Sequence, residues 1–139
     1  MKTLNFISYL CLFTFLVILS SCSKVDSNSN QSLTGTWKWV RTDGGIAFHI
    51  HETHASTGKN VILNITGNNR YFIYTNGTLS NQGTFSIEIR NCIHDHTDKK
   101  VINFSDTNLN DMMIEKIDNV SLELSDDAFD GIGSVYSRE

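Results

Sequence analysis

Five imidazoles and one thiol are the side chains of this sequence best suited to chemistry, and they fall in two short windows. His49-x-His51-x-x-His54 forms the first, and Cys92-x-His94-x-His96 the second. On an extended strand, residues two apart share a face, so each window can aim two ligands in one direction. Imidazole and thiolate suit zinc or copper, and a set drawn from His49, His51, Cys92, His94 and His96 would complete a tetrahedral site if the windows met. Neither window has the paired spacing of an established zinc motif. The second is flanked by Asp95, Asp98, Lys99 and Lys100, which also reads as a solvated turn with surface histidines. A His/Cys metal site is therefore the alternative expectation, and no cofactor the leading one.

Other chemistry is poorly supported. There is no G-x-S-x-G, no H-E-x-x-H, no phosphate-binding glycine loop and no credible Ser-His-Asp order, so the chain does not read as an enzyme. The 139 residues carry 15 acidic against 11 basic side chains, a formal net charge of -4. That balance argues against nucleic acid or an anionic lipid surface as a partner. The acidic side chains after residue 103 make no calcium-loop pattern and read as a solvated face. Asn64, Asn76, Asn103 and Asn119 each begin an Asn-x-Ser/Thr sequon, a short pattern of low specificity.

The N-terminus carries an address. Lys2 precedes an almost wholly apolar run from Leu4 to Leu19, the build of an export signal. The run ends in Leu19-Ser20-Ser21-Cys22, which resembles the lipobox of bacterial lipoproteins. The resemblance implies cleavage before Cys22, diacylglycerol on its sulfur, and attachment to a membrane, with the outer membrane of a cell envelope as the expected place. Residues 1–21 would then be a signal peptide. Residues 22–32, the lipidated cysteine followed by SKVDSNSNQS, would be a flexible polar tether of roughly 15 to 20 Å. With Cys11 removed and Cys22 blocked, Cys92 has no partner for an intramolecular disulfide, and a buried, hydrophobe-like role is expected for it.

Residues 33–139 read as one strand-rich domain. After the signal there are 29 Val, Ile and Thr but only nine Ala and Leu, a balance that favours pleated surfaces over helices. Strands are expected over 36–42, 60–66, 70–75, 83–90, 100–105, 111–117, 120–125 and 134–138. Asn76-Gly77 is the strongest hairpin signal, and 109–117 also suits a short helix. About eight strands with tight turns predict an antiparallel up-and-down meander closing as a β-barrel, with a β-sandwich as the alternative.

Gly35-Thr36-Trp37, at the start of the first strand, resembles the Gly-x-Trp pattern of lipocalins. Together with STGKNVILNIT, YFIYTNG and the closing Tyr136-Ser137-Arg138, the chain from 33 to 138 is similar to the lipocalin-like lipoproteins common in Bacteroidetes. The resemblance implies structural roles: Trp37 closing the base of the barrel, Gly35 permitting close backbone approach, and Arg138 stacking over the indole. Barrel mouths are common ligand sites, so the domain is expected to bind a small apolar ligand or an envelope protein, with Trp39, Tyr71, Phe72 and Tyr74 as candidate lining residues.

Overall fold

A computed structural model describes residues 33–139. The expected signal, lipid site and tether, residues 1–32, lie outside the described residues. Nine strands run in chain order: β1 (Gly35–Gly44), β2 (Ile50–Thr53), β3 (Val61–Ile65), β4 (Arg70–Thr75), β5 (Thr78–Asn91), β6 (Asp98–Phe104), β7 (Met112–Ile117), β8 (Ser121–Ser125) and β9 (Ile132–Arg138). All pairs are antiparallel, and β1 also pairs with β9. The sheet therefore closes as an eight-stranded antiparallel barrel with β2 as an extra strand, and a sandwich is excluded. Closure leaves no long open edge to template further pairing.

Alternation explains the core. Along β3, β4, β5 and β8, every second residue points inward, and Leu63, Ile65, Tyr71, Phe85, Leu122 and Leu124 pack with Trp37. Asn76 and Gly77 both have positive φ, 52° and 80°, the geometry of the hairpin turn that matches strand twist. The segment 109–117 forms a loop and then strand β7 rather than a helix, because Met112 and Ile114 alternate into the core while Val101 pairs with Met113.

Two features were not visible as sequence patterns. Strand β5 is 14 residues long, so one strand serves both β4 and β6, whereas the alternation signal begins only at Gly83. The unexpected β2 and a single helical turn, α1 (His54–Thr57), interrupt the path to β3. Thr53 caps that turn: its hydroxyl accepts from the Ser56 N–H and the Ser56 hydroxyl accepts from the Thr53 N–H, a reciprocal capping box.

The interruption shapes the site. Residues 35–38 of β1 pair with β3, and residues 41–44 pair with β2. Between them Trp39 and Val40 have no partner on that edge, because the chain leaves the sheet through α1 before returning as β3. A seam opens in the barrel wall there.

Candidate ligand cavity

The end of the barrel where β1 begins is filled. Trp37, Tyr71 and Leu122 have no exposed surface, and Ile65 has almost none. The Trp37 indole donates to the Leu33 carbonyl at 2.8 Å. The Arg138 guanidinium lies 4.0 Å from the Trp37 ring centroid and donates to the Thr34 carbonyl at 2.9 Å. A Cβ on Gly35 would stand 2.4 Å from Arg138 Nη1. Gly35 thus leaves room for the guanidinium, Trp37 blocks the interior, and Arg138 covers the indole.

Above this layer lies a cavity of about 320 Å³, walled by Val61, Leu63, Ile73, Phe104, Leu124 and Tyr136. Those side chains are the inward-facing positions of five strands. The loop 105–111 completes the wall through Asn108, Leu109 and Asn110, with Met112 just beyond it. Asp106 fastens that loop. One of its oxygens accepts from the Asn108 backbone and side-chain amides, the other from Asn81 Nδ2 at 2.6 Å. Asn81 Oδ1 in turn accepts from the Tyr71 hydroxyl at 3.0 Å. The Asn108 N–H, then the side-chain amides, hold the Asp106 carboxyl below the usual carboxylate range. Burial, reinforced by the Asp106 charge, pushes the Tyr71 phenol up. The volume falls at the lower end of small-molecule sites.

A second, more polar cavity of about 210 Å³ occupies the seam between β2 and β3. Trp39, Thr42, Glu52, Lys59 and Ser134 line it, and it shares Val61 and Tyr136 with the inner cavity. Trp39 Nε1 donates to Thr42 Oγ1 at 2.9 Å, and the Thr42 and Ser134 hydroxyls are joined at 2.7 Å. Lys59 Nζ stands 3.7 Å from a Glu52 oxygen. Burial pushes the Tyr136 phenol up, as expected for a hydroxyl at the boundary between an apolar chamber and its polar neighbour.

The aromatic residues singled out from the sequence are dispersed. Trp39 lines the seam cavity. Tyr71 lies in the packed layer and reaches the wall through Asn81. Phe72 and Tyr74 alternate with the inward Tyr71 and Ile73, face outward, and line neither cavity; the Arg70 guanidinium stands 5.5 Å from the Phe72 ring centroid. Composition favours aromatics as a ligand surface, but strand phase decides which of them see the interior. The aliphatic lining at Val61, Leu63, Ile73 and Leu124 was readable as one alternating face, whereas Glu52 and Lys59 carried no sequence signal.

The histidines take separate local partners. His49 Nδ1 lies 2.6 Å from the Ile46 carbonyl, His51 pairs with Asp43, and His54 Nδ1 lies 2.9 Å from the Lys59 carbonyl. The His94 ring meets Phe129 edge to face, and His96 sits at a turn position with φ 56°. Cys92 is buried with Val101 and Met113 in a small core on the outer face of β6 and β7. Among the described residues no group of three or more His, Cys, Asp or Glu side chains is arranged to hold a metal ion.

Comparison with known proteins places no relative beside this chain. It matches no family model, no curated protein and no solved structure.

Proposed function

We propose that this protein is an envelope lipoprotein, anchored through Cys22, whose lipocalin-like barrel holds a small and largely apolar molecule. The observation that carries the reading is the aliphatic chamber of about 320 Å³ above the Trp37 layer. Chambers lined mainly by apolar side chains with a few polar groups at one side are the usual form of small-molecule sites. The lipobox-like Leu19–Cys22 supports the anchor, and the resemblance over residues 33–138 supports the lipocalin-like reading. Catalysis has no support in the cavity: its wall holds no nucleophile paired with a base.

Filling the chamber tests the reading. Met112→Trp places a large ring into the chamber at an overpacking cost of about 1 to 3 kcal/mol at most, so the domain should stay folded while capture of an apolar probe such as decanol is lost. Native mass spectrometry and intrinsic fluorescence of the purified full-length chain read both. Undiminished decanol binding in the filled variant would place the probe elsewhere and sink the proposal.

A second reading, a protein partner at the rim, draws on a different feature. Ile46, Phe48 and Phe129 are 68%, 87% and 83% exposed. Their loops are joined by the Gly45 N–H donating to the Gly131 carbonyl at 3.1 Å. Ala47 and Phe48 both hold positive φ, 58° and 55°, an uncommon backbone for residues with a Cβ. Replacing Phe48 and Phe129 together by Ser should abolish envelope cross-links if this rim docks a protein; an unchanged cross-link pattern would remove that reading.

A further inference from the structure

We infer that the ligand is a single-chain amphiphile with an uncharged, hydroxyl-bearing head, its chain in the inner chamber and its head in the seam beside Glu52 and Lys59. The inference rests on the interior-binding proposal above and specifies its ligand. Its starting point is that the two cavities adjoin. Val61 and Tyr136 line both, so the chamber and the seam stand on either side of the same two side chains, and the inferred ligand spans them past the Tyr136 ring.

The chamber sets the size of the apolar part. If each methylene takes a share similar to the roughly 30 Å³ of a water molecule, about 320 Å³ holds a chain of about ten carbons. A two-chain lipid does not fit. The seam sets the chemistry of the head. Within about 210 Å³ it offers the hydroxyls of Thr42 and Ser134, the Glu52 carboxylate as an acceptor and the Lys59 ammonium as a donor.

Charge decides between head types. Glu52 and Lys59 stand 3.7 Å apart and leave the seam with no net charge. A carboxylate head that approaches Lys59 also approaches Glu52, and an ammonium head meets the reverse conflict. A polyol head meets neither: each hydroxyl donates to Glu52 or accepts from Lys59 and the threonine and serine hydroxyls. Sites built to hydrogen-bond hydroxyl groups discriminate strongly against heads that cannot complete the pattern.

Four probes of equal chain length separate the head from the chain: decyl glucoside, decanoate, decyltrimethylammonium and decanol, each titrated below its aggregation concentration into the purified full-length chain. Emission from Trp39, which lines the seam, reports occupancy. Decyl glucoside should bind at least about tenfold more tightly than either ion. Glu52→Ala should narrow its lead over decanoate, and Lys59→Met its lead over decyltrimethylammonium. Equal or tighter binding of either ion by the wild-type chain overturns the head assignment while leaving the chamber proposal intact, because decanol still binds. Failure of all four probes, decanol included, overturns both.

Discussion

The Arg138 guanidinium, at the last position of β9, stacks 4.0 Å from the centroid of Trp37, the third residue of β1. This contact locks the two ends of the domain together across the strand pair that closes the barrel, where Trp37 is also Arg138's register partner. A cation over an indole contributes on the order of 0.5 to 2 kcal/mol, more when sheltered from water.

Gly35 and Arg138 should therefore be energetically coupled. Gly35→Ala introduces a Cβ at φ 150° and 2.4 Å from Arg138 Nη1, and must push the guanidinium off the ring. Arg138→Met removes the same stack. Each change alone should destabilise the domain by about 1 to 3 kcal/mol, and the double variant by clearly less than the sum, as residues sharing one contact do. Urea unfolding of the four proteins measures the coupling; additive losses would show that Gly35 does not serve Arg138.

Acid should loosen the β7–β8 hairpin. The backbone N–H groups of Val120 and Ser121 donate to Asp118 Oδ1 at 2.8 and 2.7 Å and draw its carboxyl from 3.8 down to about 2. A folded-state value below the unfolded one gives stability that is present above about pH 4 and lost as pH falls toward 2. Asp118→Asn keeps an acceptor but cannot titrate. Its urea midpoint should fall less steeply between pH 4 and pH 2 than that of the wild type. Identical slopes would mean that the turn is indifferent to the charge.

Cys92 should be chemically quiet in the folded protein. It is 1% exposed, and the turn that covers it is tied down where the Ile93 N–H donates to Asp127 Oδ1 at 3.1 Å. Thiol reagents need an accessible thiolate, so labelling mapped to Cys92 should be slow in buffer and fast in denaturant. Asp127→Ala should accelerate it without unfolding the barrel. Cys92→Ala should cost about 1 kcal/mol, the scale of one buried methyl-sized group. Rapid labelling of the native wild type would contradict the packing described.

What the sequence determined by itself was local. Alternation in GTFSIEIR and VILNIT assigned the phase of the strands, Asn76-Gly77 assigned a turn, and the excess of β-branched residues assigned the class, because each follows from preferences of neighbouring residues. Only the tertiary structure decided what no short window contains. Strand β2 has four residues and little intrinsic signal; it fills the edge of β1 opposite β9 that β3, paired only with the lower half, leaves open. The seam between them, and hence the meeting of Glu52, Lys59 and Ser134, follows from that exchange of partners. Phe72 and Tyr74 are aromatic like Tyr71, yet strand phase turns them away from the interior. Cys92 shares a small core with Val101 and Met113 because a turn folds over the outer face of two strands. These contacts join residues distant in sequence, and their free energy depends on closing the barrel rather than on the preferences of any one segment.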